Sequence, residues 1–150
     1  MENEIIEGIC ISLASLDGND LNDVILRCAF CFENYKGLPS DAWPEDISSV
    51  VISESDAAKL KQQLVNFIKN EDSGSPLLGS AIWALGKSVV KNDIEFLVDT
   101  LKRCLCVSSE NLYQVMCVLD LLGENVLGSS SSLFDSKENQ EKAICYLNDK

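Results

Sequence analysis

Histidine is absent from the 150 residues, and cationic side chains number only 12 against 24 carboxylates. Without imidazole the chain lacks the commonest general base and the usual partner of a serine or cysteine nucleophile. A glycine-rich phosphate loop is also missing. Carboxylates are plentiful, but on an acidic helical surface they read as solvated faces, and no spacing singles out a pair. The expectation is a protein that is not an enzyme, with no catalytic residue and no cofactor. No apolar run approaches the roughly 18 residues that a membrane span requires. The start, Met1-Glu2-Asn3-Glu4, lacks the positive charge that opens a secretion signal. A cytoplasmic location with no membrane contact is therefore expected.

The missing positive charge is unevenly missing. Residues 1–50 carry ten acids (Glu2, Glu4, Glu7, Asp17, Asp20, Asp23, Glu33, Asp41, Glu45 and Asp46) against Arg27 and Lys36, a net of −8 out of −12 for the chain. Such a field repels nucleic acid and anionic lipid and attracts a basic partner.

Seven cysteines raise the question of a disulfide framework or a metal site. An odd number without an export signal argues against the first. Cys28-Ala29-Phe30-Cys31 and Cys104-Leu105-Cys106 could supply thiolates, but structural zinc pairs favour knuckle turns over helix interiors. Cys28 and Cys31 fall in an apolar stripe, where free cysteine packs as a small hydrophobe. No metal is expected.

What is present is helical periodicity. A first helix is expected from about Asn3 to Leu16, with Ile5, Ile6, Ile9, Leu13 and Leu16 on one side, stopped by Asp17-Gly18-Asn19. Asp20 then caps a second, with Leu21, Val24, Ile25, Cys28, Phe32 and Tyr35 in its stripe and Leu26, Phe30 and Cys31 widening it; Gly37 and Pro39 end it. Ser53 or Ser55 starts the next. Ser75-Pro76 opens a helix with Leu77, Leu78, Ala81, Ile82 and Leu85 inside. Asn92 and Glu95 read as a capping box before Ile94, Leu97, Val98, Leu101, Cys104 and Leu105. Ser108 or Ser109 caps a helix through Leu112, Val115, Met116, Leu119 and Leu122, closed by Gly123. After the polar stretch Gly128-Ser129-Ser130-Ser131-Ser132, Asp135 or Ser136 starts a last helix carrying Ala143, Ile144 and Leu147. The expected core includes Ile9, Leu13, Ile25, Phe32, Leu64, Ile82, Leu85, Leu97, Leu101, Val115 and Leu119.

Shifted by 34 positions, Ser75, Leu78, Ala81, Ile82 and Leu85 fall on Ser109, Leu112, Val115, Met116 and Leu119; shifted by 37, Ala57, Leu60, Leu64 and Ile68 fall on Ile94, Leu97, Leu101 and Leu105. A period near 35 implies stacked helical hairpins. The segment Ala81-Ile82-Trp83-Ala84-Leu85-Gly86-Lys87 followed by Asn92-Asp93-Ile94-Glu95-Phe96-Leu97 resembles a HEAT-type repeat, over about Ser55 to Gly123. The fold expectation is a single all-α domain, residues 1–150, of stacked antiparallel helical hairpins with about seven helices.

Small, histidine-free and strongly acidic, with divergent HEAT-like helices, the chain resembles several bacterial immunity proteins of polymorphic or contact-dependent toxin systems. That resemblance implies a basic protein partner, a toxin domain and possibly a nuclease, neutralised by an acidic inhibitor. The alternative is a helical-repeat adaptor or assembly scaffold that binds another protein or a peptide. Neither reading involves nucleic acid as partner. Between Gly37 and Ser53 the pattern fails: Leu38 to Asp46 reads as an ordered loop, and Pro44 opens either a short helical turn or an extended piece through Ile47, Val50 and Val51. Acids flank Trp43 there, either as an interface anchor or over a tryptophan that plugs the core. The partner-binding residues expected are Asp20, Asp23, Glu33, Tyr35, Asp41, Trp43, Glu45 and Asp46, with the outer face at Glu95, Asp99 and Lys102 as the next candidate.

Overall fold

A computed structural model describes residues 3–15, 20–38, 44–128 and 135–150. The chain is all-helical, 74% helix, with eight α-helices and no strand among the described residues. They are α1 (Glu4–Ser15), α2 (Asp20–Tyr35), α3 (Glu45–Ser48), α4 (Glu54–Asn70), α5 (Pro76–Leu85), α6 (Ile94–Cys104), α7 (Ser109–Leu121) and α8 (Ser136–Asn148). Seven correspond to the expected helices, and the eighth is the single turn α3, which resolves the ambiguity after Pro44 in favour of helix. The stops at 17–19 and at Pro39 and the serine run 129–132 lie outside the described residues.

Capping chemistry explains most of the starts. Asn3 Oδ1 accepts from the N–H groups of Ile5 and Ile6, at 3.2 and 3.3 Å, to open α1. At α4, Ser53 Oγ accepts from the Asp56 N–H while Asp56 Oδ2 accepts from the Ser53 N–H, both at 3.1 Å. Ser75, Ser108 and Asp135 cap α5, α7 and α8 by accepting from the N–H groups of Leu77, Asn111 and Glu138. The Asn92 capping box does not form. Asp93 instead accepts from the Val90 N–H at 2.8 Å, because a 3-10 turn over Lys91–Asp93 precedes α6 and moves the first orphan donor upstream.

Two compact units divide the chain, Met1–Asn70 and Glu71–Lys150. In the first, α1 packs on α2 and α4, and α2 packs on α3 and α4. Asn3 donates to Asp56 at the start of α4, and one turn further along Glu7 pairs with Lys59. The same advance on both helices makes α1 and α4 parallel. Asn34, near the end of α2, donates to the carbonyls of Ile47 and Val50, and Asn3 reaches the next carbonyl, Val51. The end of α2 therefore lies near the start of α1, and α2 runs against its two neighbours. Ile6, Ile9, Leu13, Ile25, Phe32, Leu60, Leu64 and Ile68 are buried between them, each fully buried aliphatic side chain contributing about 1.5–3 kcal/mol.

The second unit is built on α7, against which α5, α6 and α8 all pack. A Cβ added at Gly79 would meet Asn111, and one at Gly86 would meet Val118. Seven residues along α5 match seven along α7, so these two helices are parallel. Arg103, near the end of α6, donates to the Glu71 carbonyl just ahead of α5 at 2.7 Å, so α6 runs antiparallel to both. Leu78, Ile82, Leu85, Leu97, Leu101, Val115, Met116 and Leu119 fill the interior. Every expected core residue is buried.

The alternation of direction stops at α8. Gln140 in its second turn reaches Cys106, ahead of α7, and Tyr146 near its end reaches Glu124, beyond α7. Hence α8 is parallel to α7, a helix of thirteen residues and about 20 Å. Asp120 holds the chain just beyond α7 by accepting from the N–H groups of Val126 and Leu127, whose side chains are buried. The apolar face read for α8 needs correction: Ala143 is buried, but Ile144 is 41% exposed, with Asn139 taking the other inward position. Leu26, Tyr35 and Val51 are exposed too, because the face each segment buries is narrower than its apolar stripe.

Candidate functional site

The eight residues expected to bind a partner do not form one patch. Asp20 and Asp23 are exposed in the first turn of α2, where they complement the helix dipole. Glu33 and Tyr35 belong to its last turn, about 20 Å away by helical rise, with Tyr35 43% exposed. Glu45 and Asp46 lie on α3, which the Asn34 side chain ties to that same end of α2. Glu33, Tyr35, Glu45 and Asp46 are thus brought together, and Asp20 and Asp23 stand apart. Asp41 and Trp43 lie outside the described residues.

Within this group Asp46 already has a partner. Its carboxylate meets the Arg27 guanidinium at 2.6 Å, a hydrogen bond that holds the Asp46 carboxyl below its ordinary value and raises Arg27. Arg27 is one of only two basic residues in the first fifty, and its charge is spent on α3. Glu45, next to Asp46, is exposed.

Cys28 and Cys31 are buried with Cys10. Burial pushes all three thiols up, Cys31 to about 12, so the nucleophilic thiolate is disfavoured there. No group of three or more potential ligands among the described residues could hold a metal ion. No described helix is long and apolar enough to cross a membrane.

Two concave features in the second unit escaped the sequence reading. One is an open cleft of about 650 Å³ beside α8, where Glu124 accepts from Tyr146 Oη and Lys150 Nζ, each at 2.6 Å, and Lys142 pairs with Glu138 at 2.9 Å. The other is a groove of about 360 Å³ between the parallel helices α5 and α7, lined by Gly79, Ser80 and Trp83 on one side and Glu110, Asn111 and Gln114 on the other. Trp83 is 39% exposed, and the Lys87 ammonium lies 4.9 Å from its ring centroid. A signal for Trp83 existed. It falls off the stripe of Leu78, Ala81, Ile82 and Leu85, between two buried neighbours, and an aromatic there faces outward.

Comparison with known proteins brings no relative: no family model, no curated protein and no solved structure matches this chain.

Proposed function

We propose that the chain is an acidic protein-binding domain that captures and neutralises a basic toxin, as an immunity protein does. The observation that carries this reading is the net −8 over residues 1–50, together with the exposure of Asp20, Asp23 and Glu45. A positively charged substrate cleft on the partner would be steered toward this unit, and such steering raises association rates far more than it strengthens the final complex. Tyr35 offers an exposed aromatic beside the acids of α3, the residue class that anchors an interface after encounter.

The test uses a candidate toxin encoded beside this chain's gene, assayed by rescue of growth and by association rate across salt concentration. Asp46 is left intact because its loss would strip Arg27 of its partner. Neutralising Asp20 and Asp23 to asparagine and Glu45 to glutamine should slow association about tenfold or more at low salt and flatten its salt dependence. Neutralising Glu95 and Asp99, exposed on α6, should do much less. An equal effect from both sets reduces the attraction to a non-specific one. Micromolar binding without growth rescue would favour the adaptor.

A further inference from the structure

We propose that the groove between α5 and α7 is a second docking surface, one that receives an arginine side chain of a partner protein against Trp83 and Glu110. The proposal goes beyond toxin capture by the first unit and does not depend on it.

The groove exists because its floor cannot fill. A Cβ on Gly79 would lie 2.5 Å from Asn111 Oδ1, so the helices approach here only because residue 79 has no side chain. Asn111 is itself buried, and its amide donates to the carbonyls of Ser73 and Ser75, both at 2.9 Å. Those two bonds tie the start of α5 to the start of α7. The walls are therefore fixed before any partner arrives, which lowers the ordering cost of binding.

The chemistry of the walls selects the occupant. Glu110 is the one charged residue lining the groove, and it is exposed in the first turn of α7. Trp83 is the largest aromatic surface beside it, and the position of Lys87 shows that the ring face accepts a cation. Gln114 adds an amide acceptor one turn beyond Glu110. A planar guanidinium can stack on indole while donating to a carboxylate and an amide, a combination for which lysine's ammonium is poorly shaped. Lys87 lies over the same ring without lining the groove, and its charge competes with an incoming cation for the indole.

The experiment follows the indole N–H of Trp83 by NMR, identified by its loss in Trp83→Phe, while the full chain is titrated with acetyl-Leu-Arg-Leu-amide. Its neutral counterpart, with citrulline for arginine, is the comparison. A saturable shift with the arginine peptide is expected, at least about tenfold weaker with citrulline, since the ion pair and the cation–π contact are both lost. Glu110→Gln should weaken binding roughly fivefold, with the Ser108 cap preserved so that the helix still forms. Lys87→Met should tighten it roughly twofold to fivefold by removing the competing cation. Equal shifts from both peptides, no saturable shift, or indifference to Glu110→Gln overturns the proposal. Concentration-dependent dimerisation that Trp83→Phe abolishes, without a peptide shift, assigns the groove to a second copy of the chain and overturns it as well.

Discussion

Two glycines inside helices show how the same residue takes opposite values from its surroundings. Gly8 in α1 has nothing within 4 Å of where a Cβ would stand. Alanine there should stabilise the protein by about 0.4–1 kcal/mol, through a less flexible unfolded chain and better helix propensity. Gly79 in α5 has Asn111 Oδ1 at 2.5 Å from the same position. Alanine there should cost about 1–3 kcal/mol despite the identical propensity gain, since Asn111 cannot retreat without giving up its bonds to Ser73 and Ser75. Urea unfolding of the two variants settles both, and equal effects would mean that α5 and α7 are less tightly joined than described. Sequence inspection could have paired these glycines only as similar, because the difference is made by a residue 32 positions away.

At the level of elements, α8 depends on contacts that a helical pattern does not encode. Its buried side chains are Asn139 and Ala143 alone, so polar ties at its end matter more than for its neighbours. Lys150 and then Tyr146 donate to Glu124 and hold its carboxyl below the ordinary 4.5. A depressed folded pKa gives stability that is present above the unfolded value and lost as pH falls through the folded one. Glu124→Gln should therefore be less stable than the native chain at about pH 7, and the gap should close toward about pH 3. Urea midpoints at both pH values measure it, and a gap that stays constant would show that Glu124 acts by packing alone. The direction of α8, parallel to α7, was hidden from the sequence for a related reason. Just beyond α7, Val126 and Leu127 are buried and held by Asp120, contacts that no helical period announces.

For the whole molecule the dominant fact is a net charge of −12 at neutral pH. Self-repulsion on that scale works against any compact state and is screened by salt over about 10 Å at 0.1 M. Raising sodium chloride from about 0.02 M to about 0.2 M should lift the melting temperature by a few degrees. A melting temperature that falls would mean that pairs such as Arg27–Asp46 and Lys150–Glu124, rather than the bulk repulsion, govern the balance.

The sequence by itself determined the helices, most of their caps and the inward residues, because these follow from a 3.6-residue period and from side chains that satisfy their own neighbouring backbone. Ser75, Ser108 and Asp135 cap the helices they precede, and Leu64, Ile82, Leu101 and Leu119 are buried. The acidic excess of the first fifty residues was legible for the same local reason. Tertiary structure alone decided which acids meet. It joined Asp46 to Arg27, set Glu33 and Tyr35 beside α3, and left Asp20 and Asp23 at the far end of α2. It also decided that Trp83 and Glu110 flank one groove, a juxtaposition of residues 27 positions apart that needs α5 and α7 to be parallel and a glycine between them. Local pattern sets which face of a helix is apolar; only packing sets what that face touches and what the opposite face leaves open.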